Sequence, residues 1–359
     1  YVLAVQDAGW EHVKKFDIGF DMMLFNQLNI TFDYFHDKRE RILMSRASWP
    51  SMLGYWGSKP WSNIGEVENQ GFELSLNWTK QFGKDLTLDL RGNFTYNQNE
   101  YKYVDEPNYP YVWQTNTGKP LNTVKGYIAE GLFTSEEEIA NSPDQSQLGA
   151  NIMPGDIKYR DINGDGKITD DDKVPLFAYS GVPQLMYGIG AEFRYKSWTL
   201  NVLFKGTGRN KFLYGGSDGR NFDGYMPFNQ KDKGNIMTIA YNPENRWISA
   251  EYSGNQATEN PNARFPRLYY GKNENNTKPS TFWMGDARYL RLQELSLAYN
   301  LKVPALQRIL GINSMNIQLM CENLAVWDSV NIFDPEQATS CGQAYPLPAR
   351  YSLQLYLNF

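Results

Sequence analysis

The run Asp161-Ile-Asn-Gly-Asp-Gly-Lys-Ile-Thr-Asp-Asp-Asp172 places oxygen donors at the spacing of a calcium loop. Asp161, Asn163 and Asp165 supply side-chain oxygens, Gly166 allows the sharp bend, and Lys167 offers its backbone carbonyl. Asp172 takes the closing position, where the longer Glu is usual, so its grip on a cation is weaker. A hard divalent ion collects about six to eight oxygens, and this spacing gathers most of them from one short segment. The expectation is a structural Ca²⁺ or Mg²⁺ held by Asp161, Asn163, Asp165, Lys167 and Asp172. No clear helix flanks the loop, which makes it an isolated cation loop and not a helix–loop–helix sensor. A solvated acidic loop is the plainer reading of the same residues.

Little else in the chain offers chemistry. His12 and His36 are the only histidines and lack partners for zinc or catalysis. Of the two cysteines, Cys321 falls by parity on an apolar strand face and Cys341 in a long connection, so no disulfide is expected. No nucleophile elbow, phosphate loop or zinc spacing occurs, and no carboxylate pair stands out, so an enzyme is not expected. Aromatic residues in the long connections include Trp56, Trp61, Trp113 and Trp283. These are candidates for stacking on sugar rings, against the blander reading that they pack loops or sit at a lipid interface.

The elements that must position these residues follow from composition and periodicity. Aromatics make up 15% of the 359 residues, while the net charge is −5 and the mean hydropathy is −0.57. No run approaches the roughly 18 apolar residues of a membrane helix, and no basic cluster invites a nucleic acid. Such a composition fits a carbohydrate-binding β protein or a membrane β-barrel. The chain opens at Tyr1 without an initiator Met or leader and closes on an alternating stretch ending at Phe359, which predicts a cut start and a natural end.

Period-2 alternation dominates, in pairs joined by tight turns. Phe16, Ile18, Phe20, Met22 and Leu24 alternate with Asp17, Gly19 and Asp21, and Leu28, Ile30, Phe32 and Tyr34 return after a turn near Asn26. The second pair sets Phe72, Leu74, Leu76 and Trp78 before a turn near Gly83, then Leu86, Leu88, Leu90, Phe94 and Tyr96. A third pair, near 187–204, and strands near 287–300, 313–325 and 347–359 bring the number to nine. Within Tyr289–Tyr299 the apolar phase slips from even to odd, which predicts a β-bulge near Gln293-Glu294. The strands are long enough to cross a bilayer at a tilt, about 9–11 residues. Their polar sides are too rich in Asp, Asn, Arg and Thr for a protein core. One greasy face and one wet face describe a barrel with lipid outside and water inside. Long connections at about 44–70, 97–183, 207–282 and 327–346 alternate with short turns, as extracellular loops alternate with periplasmic ones. Whether 97–183 hides a further strand pair stays open at this point. A soluble glycan-binding sandwich or propeller is the alternative, weakened by long strands, uneven loops and the lack of a repeat.

Several segments, taken in order, resemble one family. They are Trp10-Glu11 with Phe16-Asp-Ile-Gly-Phe20; Asn63-Ile-Gly-Glu-Val-Glu-Asn-Gln-Gly-Phe-Glu73; Gly126-Tyr-Ile-Ala-Glu-Gly-Leu-Phe133; Pro154-Gly-Asp-Ile-Lys-Tyr-Arg160, running on through the cation loop to Asp172; and Ala287-Arg-Tyr-Leu-Arg-Leu-Gln-Glu-Leu-Ser-Leu297. Together they resemble the C-terminal part of SusC/RagA-family TonB-dependent outer-membrane transporters of Bacteroidetes, over nearly the whole of 1–359. The resemblance implies an all-β fold: about 9–11 strands of an antiparallel transmembrane barrel of about 22 strands, with long extracellular loops. The segment 154–172 would be a calcium-type loop within one of them. The resemblance also implies an N-terminal plug and the remaining strands as partners, a SusD-like surface lipoprotein as a lid, the TonB complex as the drive, and a Gram-negative outer membrane with its lipid as the setting. The expected function is TonB-dependent import of a large nutrient, an oligosaccharide first. RagA-like import of a peptide or other cargo, or a passive porin or adhesin barrel, are the alternatives.

Overall fold

The computed structural model of the chain describes residues 8–50, 52, 59–179, 181–214, 238–269, 273–302, 304–340 and 344–359. Four long strands come first: β1 (His12–Leu24), β2 (Leu28–Ser45), β3 (Trp61–Phe82) and β4 (Leu86–Tyr103). The next long connection holds four short ones, β5 (Val124–Gly126), β6 (Ala129–Leu132), β7 (Ile157–Tyr159) and β8 (Val174–Phe177). Then come β9 (Leu185–Tyr195) and β10 (Trp198–Gly208), the short β11 (Lys211–Leu213) and β12 (Met284–Asp286), and finally β13 (Tyr289–Leu301), β14 (Ser314–Asp328) and β15 (Arg350–Asn358). The long strands form one antiparallel nine-stranded sheet in the order β1-β2-β3-β4-β9-β10-β13-β14-β15. It is open, with β1 and β15 at its edges. Between the end of β4 at Tyr103 and residue 183 the described residues add no strand to it; they form the small pairs β5–β8 and β6–β7 instead.

Local chemistry sets the turns. Phe25 and Asn26 both take left-handed backbone angles (φ 53° and 52°) between Leu24 and Leu28, as a tight hairpin with right-handed twist requires. The predicted bulge is present: against β10 the register slips between Leu292 and Glu294 and leaves Gln293 as the extra residue, while on the other side Gln293 faces two residues of β14, Asn323 and Leu324. Without it the residues beyond would turn their apolar side chains inward.

The two faces separate by parity. On the outer face Phe20, Phe32, Phe72 and Phe94 stack across four strands with centroid distances of 5.6, 6.1 and 5.5 Å. Exposures of 58% at Ile189 and 50% at Leu319, on strands with neighbours on both sides, show that none of the described residues covers this face. Tyr34, Phe72, Tyr96 and Trp327 mark its upper border, and Tyr195, Trp198 and Tyr299 its lower one. From Leu185, paired with Tyr96, to Tyr195 the strand runs about 33 Å at ~3.3 Å per residue, which at a tilt of about 40° spans about 25 Å of height, the apolar band of an outer-membrane barrel. The inner face is hydrogen-bonded throughout its middle. Arg91 donates to Asn201 Oδ1 (3.0 Å), Asn201 donates to Glu294 Oε1 (2.8 Å), and Arg194 pairs with Asp89.

Two expectations change. The first long connection is shorter than 44–70, because β3 begins at Trp61 and β2 reaches Ser45. Above the Tyr34–Phe72–Tyr96 row the strands continue with charge on the outer face as well, so alternation stops while the strand does not. There Lys14 pairs with Glu40 at 2.8 Å, Lys38 with Glu66 at 3.2 Å and Lys102 with Glu68 at 3.0 Å. The buried apolar core lies outside the sheet, in the loops, where Val124, Tyr127, Leu132, Ile157, Tyr159, Ile168, Trp247, Phe265 and Trp283 pack together.

Candidate functional site

The segment 154–172 lies at the centre of that loop core. Gly155 takes φ 87° with the Trp247 ring against it; a Cβ there would sit 2.3 Å from a ring carbon. Only glycine meets both demands. Next to it Asp156 is fully buried. Its carboxylate accepts from Arg267 Nη2 (3.0 Å), Asn273 Nδ2 (3.0 Å), Asn276 Nδ2 (2.8 Å) and the Met153 amide (2.9 Å), with Arg267 Nε at ion-pair distance, 2.7 Å. The β7 backbone is held by amide side chains: Ile157 N donates to Asn276 Oδ1 (2.9 Å) and Tyr159 N to Gln145 Oε1 (2.7 Å). The Tyr159 hydroxyl donates to the Asn275 carbonyl at 2.8 Å, and burial pushes the phenol well above its usual range. One long loop is thereby bolted to the next through buried polar contacts.

The loop from Asp161 to Asp172 follows. Asp161 Oδ1 accepts from Gly164 N (2.7 Å) and its Oδ2 from Gly166 N (2.8 Å). Asn163 Oδ1 accepts from Asp165 N (3.0 Å), and Asp165 Oδ1 from Lys167 N (2.9 Å). Each of these oxygens keeps a second lone pair. Asp172 is placed differently. Fully buried, it accepts from Ile162 N (2.8 Å) and Asn163 N (3.4 Å) through Oδ1 and from Thr169 N (2.8 Å) through Oδ2. With three of about four lone-pair positions taken, Asp172 clasps the loop ends and has one oxygen to offer a metal. Among the described residues no group of three His, Cys, Asp or Glu is drawn together to hold a metal ion. Asp161, Asn163, Asp165 and Lys167 thus stand at ligand spacing, their oxygens suited to a hard cation, in a loop already shaped by its own amides.

Ile168, fully buried, pins the loop to the core, and the chain at Asp144 flanks it through Ile168 N to Asp144 O (2.8 Å). On the other side Trp113 Nε1 donates to the Asp171 carbonyl and Gln114 Nε2 to Asp171 Oδ1, both at 2.8 Å. Tyr111 stacks on Trp113 at 4.6 Å with 8° between planes. Lys119 feeds its ammonium into the carbonyls of this turn, and burial pulls its basicity down. An aromatic platform is therefore tied to the cation loop.

The other candidate tryptophans separate. Trp61 begins β3 and is 47% exposed. Trp283 is a correction: at 2% exposure, with Nε1 donating to the Asn276 carbonyl at 2.7 Å, it is core and offers no face for stacking. Trp56 and Cys341 lie outside the described residues. Sequence reasoning missed Arg267, Gln145 and the Asn273-Glu-Asn-Asn276 run; the density of Asn in that run was the available signal.

A family model described as "TonB dependent receptor-like, beta-barrel" matches residues 5–151. A TonB-dependent receptor of Formosa agariphila is 27% identical over 338 residues, covering 91% of this chain and 31% of the relative. TonB-dependent receptor SusC of Bacteroides thetaiotaomicron is 25% identical over 58% of this chain and 20% of its own length. Among solved structures, that of the RagAB peptide transporter superposes with a TM-score of 0.69 at 19% identity, over 98% of this chain and 36% of that one. The chain spans about a third of the length of the first curated relatives it matches.

Proposed function

Because the chain is a portion of an outer-membrane β-barrel of the TonB-dependent receptor family, of SusC/RagA type, we propose that the whole protein imports a large nutrient in a TonB-dependent step. The observation that carries the reading is the sheet itself: an uncovered apolar face, an opposite face of hydrogen-bonded polar groups, and long loops gathered into a folded cap. The wet face is the wall of a passage, and the cap is where cargo is first met. A plug and further strands would complete the barrel, and a SusD-like lipoprotein would close over the cap. An oligosaccharide is the cargo we favour, because the Tyr111–Trp113 platform offers a rigid aromatic surface beside the cation loop.

In the same reading Asp161, Asn163, Asp165 and the Lys167 carbonyl hold a structural Ca²⁺ or Mg²⁺, with one oxygen of Asp172. The ion would supply positive charge that draws these oxygens into one shell. This chain's residues do the rest: Asp172 and Ile168 fix the loop, and Asp171 hands its position to Trp113 and Gln114.

The test is growth of a strain lacking the gene, on purified glycans and on purified peptides, with and without functional TonB. Selective loss of growth on one glycan class, reproduced by loss of TonB, supports the proposal. Loss confined to peptides replaces the sugar with a peptide cargo. Uptake indifferent to TonB indicates a passive porin.

A further inference from the structure

The outer face carries ions above the apolar band, and nearly all of them answer one another. Lys14, Lys38 and Lys102 each meet a glutamate. Arg209 does not. It stands just past the end of β10, exposed, and among the described residues no carboxylate lies within the 4.0 Å of an ion pair. Strand parity would send residue 209 to the wet side. Its left-handed backbone angle (φ 51°) redirects it, and the side chain crosses the top of β9 to lie on the outward-facing Tyr96 ring, 5.6 Å from its centroid. There its Nη1 makes only long contacts to neutral acceptors, Tyr96 OH at 3.4 Å and Gln184 Oε1 at 3.3 Å. Gln184 Nε2 in turn donates to the Tyr96 hydroxyl at 3.1 Å, so the ring is braced under the guanidinium.

The level of this arginine in the membrane follows from register. Tyr96 shares the upper aromatic row with Tyr34 and Phe72, and the next outward residues are Gln98, His36 and Gln70. Apolar gives way to polar within one pleat, so Arg209 lies where the hydrocarbon ends and headgroups begin. A planar cation stacked on an aromatic ring and ion-paired to no carboxylate among the described residues matches a phosphate held through paired hydrogen bonds.

We propose that Arg209, seated on Tyr96, binds the phosphate of an outer-leaflet lipid and fixes one lipid against the β4–β9–β10 wall. The inference rests on the membrane placement of the sheet and not on the cargo. The exposed Ile189 and the Leu185 side chain, directly below on β9, provide the surface for that lipid's acyl chains.

The experiment uses the full-length transporter in detergent, titrated with diphosphorylated lipid A, with the same lipid stripped of phosphate, and with inorganic phosphate, and read by native mass spectrometry. Intact lipid A should bind about tenfold or more tightly than the stripped form, the scale of a lost charge-assisted pair. Arg209→Gln should remove that preference while the barrel keeps its heat-dependent gel shift. Equal binding of the two lipids to the unaltered protein overturns the proposal, and so does an Arg209→Gln protein that still prefers the phosphorylated lipid. If inorganic phosphate binds as tightly as the lipid, the site is one for a soluble anion and the lipid assignment is wrong. The comparison of lipids on the unaltered protein needs no substitution, so a misfolded variant does not remove the test.

Discussion

Substitution of Asp156 by Ala tests whether the cap is held by its buried polar junction. Asp156 is fully buried and receives four hydrogen bonds, one of them from Arg267 Nη2, and it is ion-paired to the same guanidinium, whose side chain is 13% exposed. Asp156→Ala leaves that guanidinium and two asparagine amides facing a void. Stranding one member of a buried ion pair costs about 3–5 kcal/mol. At 1.4 kcal/mol per tenfold, local opening of the cap should become roughly 140- to 4,000-fold more frequent. Amide hydrogen exchange reads this directly: Ile157, Tyr159 and Trp247 should lose protection, while amides of β4, β9 and β10 keep theirs. The double variant Asp156→Ala with Arg267→Met should recover part of the loss, because no charge is then stranded. Exchange at Ile157 and Tyr159 within about threefold of the unaltered protein would refute the reasoning. A double variant as loose as the sum of the singles would do the same.

Four other outcomes are expected. Chelation, or Asp161→Ala with Asp165→Ala, should abolish stoichiometric metal in elemental analysis and speed proteolysis in 104–183, with the barrel's gel shift unchanged; unchanged proteolysis would count against a structural cation. Leu353→Arg, on the uncovered face, should cost about 2–4 kcal/mol in folding into lipid, against much less for Ser352→Arg on the wet face; equal costs in vesicle refolding would remove the membrane reading. Deletion of Gln293 should put the residues after it on the wrong face and prevent assembly, seen as loss of the heat-dependent gel shift. Burial alone would raise the Asp105 pKa, but the Ser48 amide and hydroxyl, with Arg46 beside it, outweigh burial and hold it below its usual value. A depressed folded-state pKa gives stability that is present above the unfolded value of about 4. The 46–50 segment should therefore loosen as pH falls below that point, measured by hydrogen exchange, and Asp105→Asn should flatten the profile.

The membrane-facing half of the sheet was legible in the sequence because parity is a local signal. Phe16 to Leu24 and Leu353 to Phe359 announce their face two residues at a time, and even the Gln293 bulge left a trace in the phase of its neighbours. The upper halves of β2 and β3 were not, since Lys38, Glu40, Glu66 and Glu68 are wet on a face that is greasy lower down. The oxygen-donor spacing of the Asp161–Asp172 loop was legible, yet the reason for Gly155 and the clasp by Asp172 were not. Those depend on Trp247 and on amides brought in by folding. Asp156 and Arg267 are 111 residues apart, and no window of sequence joins them. Trp283 was misjudged for the same cause: an aromatic in a connection is read as exposed unless the connection has a core of its own.

The long strands of the first half have a consequence for how the wall yields. In β3, which runs 22 residues, the lower part is shielded from water by lipid on its outer face, so water reaches its ladder bonds from one side only. The part above Gln70 is bathed on both sides, and water competes for every one of its amides. One continuous strand therefore has two regimes of wear. Under heat, or under a pull from within the passage, the upper stave should fray and re-form many times before the lower one parts, and the boundary between them should fall at the Tyr34–Phe72–Tyr96 row.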